Sequence, residues 1–97
     1  MSTDRTAAAF DLDGAWELDS RVSIRPERFG ALLYHFGTRR LSFLKSRTML
    51  AAVQALTEHP TARAACAQAG VTPAELPRYR AALAALAASD MIQPRSL

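Results

Sequence analysis

The sequence FGALLYHFGTRRLSFLKSRTML, which spans residues 29–50, decides the fold. Its first half, over residues 31–36, is rich in the apolar and aromatic residues that are typical of a strand. The pair Gly37-Thr38 predicts a tight turn, because glycine adopts positive φ angles at little cost. A second run, from Arg39 or Arg40 to Lys45, predicts the partner strand. The stretch is therefore a predicted β-hairpin with arginine residues at its turn.

Alternation along the two strands also predicts which side chains share a face of the hairpin. One face combines the larger apolar residues, namely Leu32, Tyr34, Phe36, Leu41 and Phe43. The opposite face combines Ala31, Leu33, His35, Arg40, Ser42 and Leu44. We expect this second face to point outward, with His35 in a solvated or capping role. The second strand of the hairpin is predicted to be a sheet edge unless another element covers it.

Three helices are predicted after the hairpin. Ser46 is a suitable N-cap for the first, and His59-Pro60 ends its helical apolar spacing. Thr61 and Gly70 are the expected caps of the second helix. The third helix follows a capping box that begins at Thr72, and alanine flanks its apolar stripe at almost every position.

One more strand precedes the hairpin and completes the predicted fold. Val22 and Ile24 alternate with polar residues, and a turn is expected over residues 25–28 because it contains Pro26. The predicted fold is α+β and winged-helix-like, with a three-stranded antiparallel meander followed by a three-helix bundle, in the order β-β-β-α-α-α. We expect the domain to cover residues 15–93, between a flexible tail at 1–14 and a short tail at 94–97.

The composition limits the fold to one domain and the chemistry to a small set. A chain of 97 residues buries one modest core. Cys66 is the single cysteine, and its alanine neighbours predict a buried core position instead of a disulfide or a zinc site. No apolar run approaches the about 18 residues of a membrane span, and the first residues lack the pattern of a signal peptide. The expected compartment is the cytoplasm, with no membrane partner.

Catalytic motifs are absent from the sequence. His35 and His59 lie in different local contexts, the acidic residues show no pairing pattern, and no phosphate-binding glycine motif is present. We therefore expect a binding protein that has no catalytic residues, metal or cofactor.

Charge is distributed unevenly along the chain. Residues 1–20 contain five acidic residues and one basic residue, whereas residues 25–47 contain six basic residues and one acidic residue. The hairpin therefore carries a basic patch, which favours an anionic partner such as nucleic acid, an acidic peptide or an acidic protein surface. A solvated basic face without a partner is the alternative.

Nucleic acid is the less favoured of two binding hypotheses. Residues 62–92 read as helix, glycine turn and helix, so the chain could be a winged-helix nucleic-acid-binding protein. The first turn of the third helix, however, offers proline, alanine and Glu75 where base-reading side chains are needed. The basic residues also lie mainly on the hairpin, before the helices.

Peptide capture is the second hypothesis. The predicted edge strand could accept an extended peptide as a further strand, with backbone hydrogen bonds to hold it. Arg39, Arg40 and Lys45 beside that edge would favour an acidic peptide. The alanine-rich third helix could form the opposite wall of a groove. The same edge could instead pair with a second copy of the chain.

A family resemblance supports the peptide hypothesis. Trp16, followed by RPERFGALLYHFGTRRLSFLKSRTMLAAVQAL over residues 25–56, resembles the PqqD-like peptide chaperones, or RiPP precursor recognition elements. Within them it is most similar to the branch that serves mycofactocin biosynthesis. The resemblance implies a protein that holds the leader of a ribosomally made precursor peptide and delivers it to a radical SAM maturase.

The resemblance also implies where the leader binds, namely as an antiparallel strand between the third strand and the third helix. The predicted peptide-binding residues of the strand are Arg39, Arg40, Leu41, Ser42, Phe43, Leu44 and Lys45. Those of the helix are Arg78, Tyr79, Ala82, Leu83 and Leu86, unless this helix stripe is entirely core. The surface that meets the maturase is not located by the sequence, and Arg25, Arg28 and the first helix are candidates only because they lie off the peptide edge.

Overall fold

A computed structural model describes residues 10–95 of the chain. Its elements are, in chain order, β1 (Trp16–Leu18), β2 (Val22–Pro26), β3 (Ala31–His35), β4 (Leu41–Leu44), α1 (Arg47–Ala55), a 3₁₀ turn (Leu56–Glu58), α2 (Ala62–Ala69), α3 (Leu76–Ala88) and β5 (Ile92–Pro94). Strands β2, β3 and β4 form an antiparallel meander, and the three helices follow it. The α+β class, the three-stranded sheet and the strand-then-helix order are as predicted. None of the described helices is long and apolar enough to cross a membrane.

A second, two-stranded sheet was not predicted. Strands β1 and β5 pair in antiparallel register, with Trp16 opposite Pro94 and Leu18 opposite Ile92. Each strand has three residues, which is too short for an alternation pattern to be recognised. The Arg95 guanidinium then donates hydrogen bonds to the carbonyl groups of Leu56, at the start of the 3₁₀ turn, and His59, just after it. Residues 94 and 95 therefore belong to the fold, not to the predicted tail at 94–97, whose last two residues lie outside the described part.

The predicted tail at 1–14 also needs correction. Phe10 and Leu12 are buried, and the Phe10 ring lies 4.8 Å from the ring of Trp16. The backbone N–H of Arg63 donates to the Leu12 carbonyl at 2.8 Å, which anchors this segment on α2. Residues 10–14 are thus packed on the core, and the rest of the predicted tail lies outside the described residues.

The side chains of the hairpin are grouped on two faces as predicted, but the buried face is the one that was expected to point outward. Tyr34 pairs with Leu41 and Leu32 with Phe43, so these side chains share a face, as predicted. That face points outward, together with Phe36, and is called the outer face below. The core instead receives the inner face, whose buried members are Ala31, Leu33, His35 and Leu44. Alternation separates two faces of a strand, but it does not tell which one the helices will cover.

His35 is consequently buried, and the predicted outward position was wrong. Its Nδ1 atom accepts the backbone N–H groups of Gly37 and Thr38 at 2.9 and 3.0 Å, so the side chain caps the hairpin turn. Its Nε2 atom lies 3.5 Å from a carboxylate oxygen of Asp19, which is also buried. The turn itself is held by a hydrogen bond from the His35 N–H to the Arg40 carbonyl, and Arg39, not Gly37, has the positive φ of 67°.

The turn between β2 and β3 lies two residues later than the predicted turn at 25–28. Glu27 and Gly30 exchange two backbone hydrogen bonds across it. Pro26 is the last residue of β2, an edge strand in which a missing N–H is tolerated. Gly30 permits a close approach of the two strands, because a Cβ atom there would overlap the Leu44 carbonyl oxygen.

The predicted helix caps are confirmed. Ser46 Oγ accepts the Met49 N–H at 3.0 Å, and Thr61 Oγ1 accepts the Ala64 N–H at 3.1 Å. Gly70 has a φ of 97° at the end of α2, as a C-terminal capping glycine requires. Cys66 is fully buried on the same helix, as expected, and burial raises the pKa of its thiol.

Candidate functional site

A groove of about 640 Å³ lies between the edge strand β4 and helix α3. The residues that line it come from β4, the start of α1 and one face of α3: Ser42, Phe43, Leu44, Lys45, Ser46, Met49, Arg78, Tyr79, Ala82, Ala85 and Leu86.

The backbone edge of β4 forms one wall of this groove. In the sheet order β2-β3-β4, one side of β4 pairs with β3 and the other side has no partner strand among the described residues. The His35 N–H bonds the Arg40 carbonyl, so Ser42 and Leu44 also direct their backbone groups towards β3. By the alternation of an antiparallel ladder, Leu41 and Phe43 direct theirs towards the open edge.

Small side chains of α3 form the opposite wall. Ala82 and Ala85 are exposed and lie three residues apart, which places them on the same side of the helix. Leu86 is buried on the adjoining stripe and contributes to the floor. Alanine fills little space, so the helix leaves room beside the strand edge.

Two side chains connect the walls at the floor of the groove. The hydroxyl groups of Ser46 and Tyr79 lie 3.3 Å apart, within hydrogen-bond distance. Tyr79 is largely buried, and the Arg78 guanidinium lies 5.7 Å from the centre of its ring. Met49 adds an apolar surface from α1.

The charge of the groove is positive. Lys45 and Arg78 are its only ionised lining residues, and both are exposed. Arg78 is 3.5 Å from Glu75, which lies outside the lining. Within residues 10–95, no cluster of three potential metal ligands occurs. The groove can therefore offer backbone hydrogen bonds, apolar contacts and positive charge.

The structure brings together eight of the twelve predicted peptide-binding residues. Those that line the groove are Ser42, Phe43, Leu44, Lys45, Arg78, Tyr79, Ala82 and Leu86. Leu83 is fully buried in the core and does not reach the groove. Arg39, Arg40 and Leu41 lie at the turn end of the hairpin, beyond the groove lining.

Three lining residues were missed by the sequence interpretation. Ala85 could have been found, because it follows Ala82 by three residues on the same helix face. Ser46 and Met49 gave no such signal, because only tertiary packing brings the start of α1 beside α3.

Sequence comparisons identify the relatives of this chain. The model of the Peptide chaperone MftB family matches residues 15–93. The chain belongs to this family. The family match confirms the resemblance that the hairpin and first helix indicated.

Three mycobacterial relatives support the assignment, and each is named Peptide chaperone MftB. The protein of Mycobacterium ulcerans (strain Agy99) is 56% identical over 89 residues, which cover 92% of this chain and 82% of the relative. The protein of Mycobacterium tuberculosis (strain ATCC 25618 / H37Rv) is 54% identical with the same coverage. The protein of Mycolicibacterium smegmatis (strain ATCC 700084 / mc(2)155) is 52% identical over 88% of this chain and 83% of the relative. No solved structure matches the chain.

Proposed function

We propose that this protein is a non-catalytic peptide chaperone. It binds the leader of the mycofactocin precursor peptide as an added strand and delivers it to a radical SAM maturase. The family and the names of the three relatives support the chaperone role. The single structural observation behind strand addition is the open edge of β4, which faces α3 across the groove. The proposed compartment is the cytoplasm, where ribosomes synthesise the precursor peptide.

Backbone geometry supports an extended peptide as the ligand. An antiparallel strand exchanges hydrogen bonds with every second residue of its neighbour. The N–H and C=O groups of Leu41 and Phe43 point to the open edge at this spacing. A peptide strand would lie about 4.8 Å from β4, in the space beside Ala82 and Ala85 of α3. Main-chain bonds of this kind supply affinity that depends little on peptide sequence.

The side chains around the edge indicate the preferred leader. Successive residues of a strand point to opposite sides. Every second leader residue would therefore face the groove floor, where Met49 and Leu86 favour apolar side chains. Lys45 and Arg78 favour carboxylates at the groove margins. The proposed ligand is an extended leader in which apolar residues alternate with polar, partly acidic ones.

A titration of the full chain with a synthetic mycofactocin precursor leader tests this function, with a mixed-sequence DNA duplex as control and near-physiological salt. Saturable one-to-one binding of the leader without binding of the duplex is the expected result. Binding of the duplex alone, with a steep decrease as salt rises, would instead indicate a nucleic-acid-binding protein.

A further inference from the structure

The outer face of the sheet carries an exposed apolar patch. All four large hydrophobic side chains that are exposed within residues 10–95 lie on it: Phe29, Phe36, Leu41 and Phe43, with exposed fractions of 48, 65, 55 and 59%. The rings of Phe29 and Phe43 are 6.4 Å apart, and those of Tyr34 and Phe36 are 4.9 Å apart, edge to face. Contiguous exposed patches of this kind mark interaction surfaces.

Positive charge borders the patch at both ends. Arg28 lies in the turn between β2 and β3, and Arg39 and Arg40 lie in the turn between β3 and β4. All three are exposed, and their guanidinium groups have no carboxylate partner among the described residues. Arg25, on the β2 side, is already paired with Glu27 at 2.7 Å. The outer face is thus apolar in the centre and basic at its two ends.

We propose that the outer face docks the maturase that receives the peptide, through a maturase surface that is apolar in the centre and bordered by carboxylates. The proposal rests on the proposed function, which requires a second binding surface for the enzyme. It places that surface on Phe29, Phe36 and Arg28 and on their neighbours across the sheet.

Charge argues against a second copy of the chain as the occupant. In a symmetric dimer packed through this face, each end of the sheet would lie against either the same end or the opposite end of the second copy. Because Arg28 lies at one end and Arg39 with Arg40 at the other, both arrangements bring arginine residues together. Like charges across an interface are unfavourable, whereas an acidic border on another protein is complementary.

The groove and the outer face meet at Phe43. Phe43 lines the groove, and its ring lies 6.4 Å from that of Phe29 on the outer face. A leader strand beside β4 would widen the sheet by one strand, and every second leader side chain would continue the outer face. A maturase on this face would then contact the chaperone and the leader together, which favours the loaded chaperone over the empty one.

The test measures binding of the purified mycofactocin radical SAM maturase and, separately, of the leader to the full chain. The variants are the double substitution Phe29→Ser with Phe36→Ser, and the single substitution Arg28→Glu. We expect the double variant to bind the maturase about tenfold more weakly or worse, as for interface aromatics elsewhere. Arg28→Glu should weaken binding and reduce its salt dependence. Leader affinity should change less than about twofold in both, since neither site lines the groove.

Matched controls are Gln68→Ser and Arg80→Glu, which change exposed residues of α2 and α3 outside the groove lining. They should leave the maturase affinity unchanged.

Unchanged maturase affinity in the face variants, or a wild-type chain that does not bind the maturase, would overturn the docking proposal. The proposal would also be overturned if sedimentation showed that the wild-type chain is a dimer and that the face variants are monomers. A wild-type chain that binds the maturase but not the leader would overturn the proposed function alone. If the double serine variant unfolds, the Arg28→Glu variant still tests the proposal. It is expected to stay folded, because the Arg28 side chain has no ionic partner in the described structure.

Discussion

The hydroxyl groups of Ser46 and Tyr79 lie 3.3 Å apart and join the end of the hairpin to helix α3. Ser46 Oγ also accepts the Met49 N–H, so the same atom caps α1. The contact therefore links β4, α1 and α3 at the floor of the groove. It lies in the groove in which the leader is proposed to bind.

Tyr79→Phe should destabilise the protein by about 0.5–1.5 kcal/mol, because it removes this hydrogen bond and leaves the ring in place. Ser46→Ala should cost more, since it also removes the helix cap. Urea unfolding of both single variants and the double variant would give the coupling energy between the two hydroxyl groups. Strict additivity of the two losses would contradict a direct interaction.

Phe43→Pro should weaken leader binding far more than Phe43→Ala. Both variants remove the ring, but only proline removes the backbone N–H that β4 directs to the open edge. Ser42→Pro should instead unfold the hairpin, because that N–H is paired with β3. Calorimetric titration with the leader and a thermal unfolding curve measure both effects. Equal leader affinities of the folded Phe43 variants would exclude strand addition at this edge.

The double variant Arg39→Ala with Arg40→Ala should flatten the salt dependence of leader binding. The two residues lie beyond the groove lining, so their effect is long-range attraction instead of direct contact. Affinity measured at several salt concentrations gives the slope, and Arg80→Ala is the matched control for loss of a cation. A slope that matches wild type would leave these arginines without a role in peptide capture.

Asp19→Asn should lower stability at neutral pH and have little effect near pH 2. Hydrogen bonds from the Arg21 side chain and backbone lower the pKa of the Asp19 carboxyl from 3.8 to about 2. A depressed folded pKa contributes stability above the unfolded value, and this contribution is lost progressively as pH falls from about 5 to 1. We expect about 1–2 kcal/mol at pH 7, since Arg21 is largely exposed. Urea unfolding of both proteins across this range tests it, and a difference as large at pH 2 as at pH 7 would contradict the assignment.

Gly30→Ala should be strongly destabilising, by about 2 kcal/mol or more, because the new Cβ atom would overlap the Leu44 carbonyl. Gly70→Ala is the matched control. No atom lies within 4 Å of a Cβ there, so the cost is only the strain of a positive φ, about 1 kcal/mol. Thermal unfolding compares the stability of the two variants. A smaller loss of stability for Gly30→Ala than for Gly70→Ala would show that β3 and β4 can separate locally.

Local patterns determined most of the elements. The hairpin pairing of Tyr34 with Leu41, the caps at Ser46 and Thr61 and the glycine at 70 all depend on neighbours within a few residues. Such interactions are visible in sequence because residue type and spacing define them. The α+β class followed from the order of these elements.

Tertiary structure decided which face of the hairpin is buried, where the chain closes and what lines the groove. His35 is buried because the helices cover the inner face, although the outer face is the more apolar one. The pairing of Trp16 with Pro94 and the approach of Ser46 to Tyr79 join residues far apart in the chain. Periodicity carries no information about such distances, because a strand or helix pattern is the same whichever partner packs against it. The sequence alone therefore determined an edge strand and a basic hairpin, and only packing turned that edge into the wall of a groove and left an aromatic face exposed.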